Sequence, residues 1–371
     1  MAVTKTWKVA VVGFDHMHAG DFLRLICEND NAELAGVWDS DTDRLRSVAD
    51  DFAVDEAIRF TNPDALIEAG PEVAVVCSTT RDHRKWVERL GAAGIHLIIE
   101  KPFATSLAEA DAMIAAAARA QVRLAINWPL AWYPPHRTTR RLIGEGLIGK
   151  VREVHYYDGN RGPLFHLHDK RAVDGAIDPE VKRASWWYRK ANGGGSLLDY
   201  LGYGSTLSTW FRDGELPSAV TAIAHVAPGD EVDEQSVAIG QFPDGLSTYQ
   251  TRWGTFTDPW THQPQPRCGF VVVGGAGSIS SFDYQDHVTV QTRKRPEATA
   301  IPVDKLEPRD RDGMAHFLAA LNDDSDITGP LSVWISRSGQ RIVDTALESI
   351  RLGRTVPLMG TANHQLREAL P

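Results

Sequence analysis

Short apolar runs rich in Val, Ile and Ala recur through the first third of the chain, at residues 8–12, 34–38, 73–77, 95–99 and 123–127. Between them lie stretches with helix-like patterning, 18–28, 42–52, 63–69, 82–93 and 106–120. This alternation predicts right-handed crossovers and a parallel sheet. The runs are apolar throughout instead of alternating, as expected when helices cover both faces of a sheet. Asp41 or Thr42, Asn62-Pro63, and Thr105 or Ser106 supply helix starts.

The pattern changes after Asn127. Residues 134–146 read as a helix ending near Gly144 or Gly146. Strand-like alternation follows at 150–157, 218–227, 235–242, 246–254, 269–273, 277–283 and 287–293, with turn signals such as Pro243-Asp244-Gly245. Helices are predicted over 196–211, 310–321 and 333–352. The fold class is therefore an α/β domain over 1–128, followed over 129–371 by an α+β domain. The second domain carries a large, mostly antiparallel open sheet, and its C-terminal helix packs back on the first. The longest irregular stretch is 158–192, and long loops in compact domains often carry function.

Charge and composition narrow the partners. The net charge of −10 disfavours nucleic acid and anionic membranes, which need clustered Lys and Arg. No apolar run reaches the roughly 20 residues of a membrane span, and no secretory pattern precedes the first strand. Cys27, Cys77 and Cys268 are too scattered for a disulfide framework, which fits a cytoplasmic enzyme.

Strand 8–12 runs into Gly13-Phe14-Asp15-His16-Met17-His18 and then a helix. The dinucleotide fingerprint G-x-G-x-x-G occupies this context, and here only its first Gly is present. Asp39 ends the second strand, where an acidic residue hydrogen-bonds a ribose 2′-hydroxyl and repels a 2′-phosphate. That favours NAD. Thr79-Thr80-Arg81-Asp82-His83 follows the fourth strand, and Glu100-Lys101-Pro102 ends the fifth, both at the ligand-binding edge of such a sheet.

Glu100-Lys101-Pro102, the upstream Thr-Thr-x-x-His, and Gly193-Gly194-Gly195-Ser196-Leu197-Leu198-Asp199 together resemble the glucose–fructose oxidoreductase/inositol dehydrogenase/MocA family. Asn127, the Gly146-x-x-Gly149 turn and Ser349–Arg354 extend the likeness over most of the chain. The resemblance implies an N-terminal Rossmann domain, NAD or NADP, a carbohydrate substrate, and a homodimer or homotetramer formed through the large sheet. It also implies that Lys101 contacts nicotinamide ribose and substrate, and that Asp199 belongs to the catalytic set. Tyr203 stands where the family often has a His acid/base. Expected cofactor residues are Gly13, Phe14, Asp15, His16, Asp39, Thr79, Thr80, His83, Glu100, Lys101 and Asn127. The degenerate fingerprint, and Leu201 where the family usually has Gly, mark a divergent branch.

Oxidising a carbinol needs a hydride acceptor and a base. Asp199 and Tyr203 lie four apart on one helix face. A nearby Lys101 ammonium is expected to lower the Tyr203 pKa and fit it for acid/base work, with Asp199 orienting substrate and Lys101. Between 161 and 190, seven Lys/Arg against four Asp/Glu suggest an anionic sugar. Arg161, His166, His168, Trp186 and Trp187 are the candidate contacts. For the two His-x-His pairs, His16/His18 and His166/His168, no carboxylate or Cys completes a clear site, so no metal is expected. The leading reading is an NAD-dependent sugar or polyol oxidoreductase. The alternative is a glycoside hydrolase or lyase that retains NAD and works by transient oxidation, elimination, water addition and re-reduction. A third, a non-catalytic sugar sensor, is disfavoured by the intact Lys101, Asp199 and Tyr203.

Overall fold

The computed structural model describes residues 5–370. Its first half runs β1 (Trp7–Val12), α1 (His18–Cys27), β2 (Ala32–Trp38), α2 (Thr42–Asp51), β3 (Arg59–Phe60), α3 (Pro63–Glu68), β4 (Val73–Val76), α4 (His83–Ala92), β5 (His96–Glu100), α5 (Leu107–Ala120) and β6 (Leu124–Asn127). The strands form one parallel sheet in the order β3-β2-β1-β4-β5-β6. The order in which strands are added reverses between β1 and β4, which opens a crevice at their carboxyl ends. β4 is buried at all four positions, as its unbroken apolar sequence requires. Asp41, Asn62 and Ser106 cap α2, α3 and α5 through their side chains, each worth about 1 kcal/mol.

The second half runs α6 (Pro134–Gly144), β7 (Val151–Asn160), α7 (Pro179–Ala184), α8 (Ser196–Phe211), β8 (Ala219–His225), β9 (Gln235–Phe242), β10 (Gly245–Trp253), β11 (Gly269–Gly274), β12 (Gly277–Phe282), β13 (His287–Thr292), β14 (Arg295–Pro302), α9 (Gly313–Asn322), α10 (Val333–Leu352), β15 (Val356–Pro357) and α11 (Asn363–Ala369). Nine strands make the second sheet, ordered β14-β13-β12-β11-β7-β10-β9-β8-β15. Only β7 and β10 pair in parallel, so their carboxyl ends share one edge of the sheet.

α8 is buried on nearly every side, which explains why its sequence shows little amphipathic contrast. It lies between this sheet and α10. Gly202 and Gly204 permit that fit. A Cβ at Gly202 would sit 2.5 Å from the Trp128 ring, and one at Gly204 would sit 2.4 Å from the Tyr156 ring.

α9 and α10 return to the first sheet. Ala125 bridges Ser332, Trp7 donates to Asn322 at 3.0 Å, and buried Arg337 forks onto Asp111 at 2.6 and 3.0 Å. The segment expected to be irregular, 158–192, contains the last residues of β7, all of α7 and several single turns. β3, β14, β15 and α11 are additions to the predicted elements. β3 and β15 are two residues long, and β14 is a mostly exposed edge strand with little apolar pattern to read.

Candidate active site

The carboxyl ends of β1 and β5, the start of α8 and the shared edge of β7 and β10 converge on one pocket. Its wall includes His16, His18, Lys101, Asp158, Asp199 and Tyr203. Lys101 and Asp199 form a buried ion pair. Trp253, at the end of β10, donates its indole N–H to the other Asp199 oxygen at 3.0 Å, so both carboxylate oxygens are held. The Lys101 Nζ lies 5.4 Å from the ring centre of Tyr203 and 5.9 Å from those of Trp187 and Tyr200. The cation thus sits in an aromatic cage.

Tyr203 departs from the sequence expectation. Burial, followed by the charges of Glu100 and Asp199, pushes its hydroxyl well above the usual phenol range. Lys101 faces its ring and spends its charge on Asp199, so the expected lowering is overturned. Tyr203 is a neutral phenol here, suited to donating a hydrogen bond.

Beneath Lys101, Glu100 is completely buried. It meets His18 Nδ1 at 2.7 Å and accepts from Asn127 Nδ2 at 2.8 Å. His16 sits beside this pair and is held neutral, chiefly by burial and then by Lys101. His83 spans the Phe103 and Ser78 carbonyls at 3.1 and 3.3 Å, so it braces the loop after β4.

The dinucleotide loop can be tested against NAD directly. Gly13 has φ +83°, and a Cβ there would come within 2.9 Å of the Ser78 nitrogen, so the tight turn that brings backbone to a pyrophosphate is built. Thr79 and Thr80 flank the same crevice. Asp39, however, offers no free acceptor. It accepts from the Phe14 and Asp41 amides at 2.6 and 2.7 Å and from Arg44 at 2.9 and 2.7 Å. A ribose hydroxyl reaches it only by displacing Arg44, which also pairs with Asp15 at 3.0 Å. The residues fit NAD at the turn, with Arg44 as the group that must yield.

Of the candidate substrate contacts, Trp187 lines the pocket and the others do not. Trp186 stacks on Trp187 at 3.8 Å and donates to the Asp15 carbonyl at 3.2 Å. His166 is buried 2.9 Å from Asp258, and His168 packs edge-on against Phe14. Arg161 turns to Asp174. Three of the seven basic residues pair with acids from elsewhere: Arg171 with Asp51, Lys182 with Asp230 and Arg189 with Glu231. Lys170 is different. It points into the pocket over Trp260 and Tyr284 and has no carboxylate partner among the described residues.

Sequence reasoning missed Asp158. Burial, and then Asp283, push its carboxyl well above the usual range, while Tyr156 and the Gly159 amide donate to it at 2.8 and 2.7 Å. Its signal was present: Val154, Tyr156, Asp158 and Asn160 alternate inward along β7, had the strand been read to Asn160.

Residues 7–128 match the oxidoreductase family with an NAD-binding Rossmann fold, and residues 136–280 match the Gfo/Idh/MocA C-terminal domain. The chain is 32% identical over 151 residues to a D-apiose dehydrogenase of Paraburkholderia graminis, covering 39% of this chain and 38% of that protein. A second D-apiose dehydrogenase, from Rhizobium rhizogenes, is matched over 34% of its length. The chain thus spans well under half of these curated relatives. A longer match, 26% identical and covering 85% of this chain and 89% of the relative, is to 1,5-anhydro-D-fructose reductase of Ensifer adhaerens. Among solved structures, aldose-aldose oxidoreductase of Caulobacter crescentus, complexed with glycerol, superposes with a TM-score of 0.76 at 21% identity, over 95% of this chain and 100% of that one. Its likeness is one of fold. The chain belongs to the Gfo/Idh/MocA oxidoreductase family, and NAD is its cofactor.

Proposed function

We propose that this protein oxidises a carbinol of an anionic sugar or polyol, or reduces the corresponding carbonyl. The observation that carries the reading is the Lys101–Asp199 pair, closed by Tyr203 and locked by Trp253, at the carboxyl edge of the parallel sheet. NAD, when bound, supplies the hydride acceptor or donor. Gly13, Phe14, Thr79, Thr80, Lys101 and Asn127 would hold it.

The remaining chemistry belongs to the chain. Lys101 donates a hydrogen bond to the reacting oxygen and stabilises the negative charge that develops there. Asp199 keeps the ammonium aimed and accepts the hydroxyl proton through it. Tyr203, a neutral phenol, donates to the same oxygen. Trp187 offers a face for the sugar ring. Lys170, free of carboxylates, recognises the substrate's anionic group, and this replaces the whole basic stretch as the basis for an anionic substrate.

The glycoside-cleaving alternative draws on Asp158. A carboxyl that burial holds well above its ordinary range at the pocket wall is suited to giving its proton to a departing aglycone oxygen. Turnover of Tyr203→Phe and Lys101→Met tests the main assignment. We expect kcat to fall at least about 100-fold in each, in line with a lost acid/base or electrostatic group. Near-normal rates in both would refute it. Release of aglycone without net NADH, lost in Asp158→Asn, would favour the alternative.

A further inference from the structure

The local sequence of the His16-x-His18 pair completes no clear metal site, but the fold brings Glu100 to it from β5. His16, His18 and Glu100 each offer a ligand atom, and these atoms all lie within 4.8 Å of one another. All three side chains are buried. His16 Nε2 has no hydrogen-bond partner among the described residues, an expensive state for a buried polar atom. His16 and His18 both reach the pocket that Lys101 and Asp199 line.

We propose that His16, His18 and Glu100 form a binding site for a divalent transition metal, Zn²⁺ foremost, on the inner wall of this pocket. Two imidazoles and one carboxylate, with a coordination position facing a cavity, is the donor set of catalytic zinc sites. Neutral imidazoles are the ligating form. Asn127 holds the second Glu100 oxygen at 2.8 Å and so orients the carboxylate, as outer partners of metal ligands do. Two local charges oppose a cation: Lys101, whose charge Asp199 meets, and the positive start of α1. The Glu100 carboxylate offsets them. Coordination through His16 Nε2 puts the ring proton on Nδ1 and costs one weak bond, the 3.2 Å contact from the His18 amide. Binding also replaces the 2.7 Å contact between His18 Nδ1 and Glu100. A substrate hydroxyl beside Lys101 would take the open position, so the metal would polarise the oxygen that Lys101 also contacts.

The inference goes beyond the hydride-transfer reading, and its test uses no turnover. The full chain, dialysed against chelator and kept free of nicotinamide, is titrated with Zn²⁺ by calorimetry and with Co²⁺ by visible absorption. One equivalent should bind, with the intense d–d bands of a four- or five-coordinate Co²⁺ site. His16→Gln should weaken Zn²⁺ at least about tenfold and erase those bands, while circular dichroism stays native. Glu100→Gln should do the same, and because that carboxylate is buried, His16→Gln decides if Glu100→Gln fails to fold. Substoichiometric binding, or binding unchanged in His16→Gln, overturns the proposal.

Discussion

Asp15 puts a pH dependence into the dinucleotide loop. Burial raises its carboxyl from the ordinary 3.8 to about 6; Arg44 pulls it down, and Asp39 and Asp82 add to the rise. The folded protein therefore holds this proton more tightly than the unfolded chain, and stability falls as pH rises from 3.8 through about 6. Asp15→Asn should stabilise the protein at about pH 7.5 by up to about 3 kcal/mol, less whatever the Arg44 pair contributes, and by much less near pH 4. Denaturant melts at both pH values check this; an equal shift at both would contradict it. The same carboxylate stands at the second glycine position of the fingerprint, so NAD should bind the variant more tightly above about pH 6. A flat affinity across pH would count against that placement. At this scale, Lys101 and Asp199 were legible because each sits in a short motif at a strand or helix end. Tyr203's protonation was not. It depends first on burial and then on Glu100, which comes from a strand far away in sequence. Nor could a count of Lys and Arg reveal that Asp51, Asp230 and Glu231 take up three of the seven charges in the basic stretch.

At the scale of elements, α8 carries the site. It presents Asp199 and Tyr203 on one face while its other faces are packed against the second sheet and α10. Its glycines are the cost of that close packing. Gly204→Ala should overpack the Tyr156 ring and lower stability by about 1–3 kcal/mol. It should also shift Tyr203, so kcat falls beyond what the folded fraction explains. Thermal melts and kinetics on the folded protein measure both; an unchanged melting temperature would mean the ring moves freely aside. The periodicity predicted α8 to its ends and every long strand except β14 within about three residues. It failed on β14, whose exposed Arg295-Pro296-Glu297 start has no buried face to pattern.

At the scale of the molecule, the strap around His168 ties the two sheets together. Arg171 reaches Asp51 at 2.6 Å, and Arg24 lies 3.5 Å from Asp169. The pocket is about 60 Å³, smaller than the roughly 150 Å³ cavity that accepts benzene, and Lys170 of the strap stands in its wall. Arg171→Ala should speed ligand entry, read as a higher association rate in stopped-flow; an unchanged rate would place the gate elsewhere. The second sheet leaves one face without helices, carrying part-buried Val237, Ile239 and Val271 and exposed Ile223. An uncovered apolar sheet face favours self-association. Light scattering should find a dimer or tetramer that Val271→Arg dissociates, and a monomeric wild type would remove that expectation.

Transfer of label between sugar and nicotinamide tests the central claim most directly. The protein is mixed with NAD⁺ and anionic sugars deuterated at their carbinol carbons, quenched within one turnover, and the nicotinamide is examined by mass spectrometry. Hydride transfer in this pocket predicts deuterium on the nicotinamide ring with wild-type protein and its loss in Lys101→Met. NAD bound at the loop after β1, with no deuterium reaching it from any sugar of the series, would contradict the account.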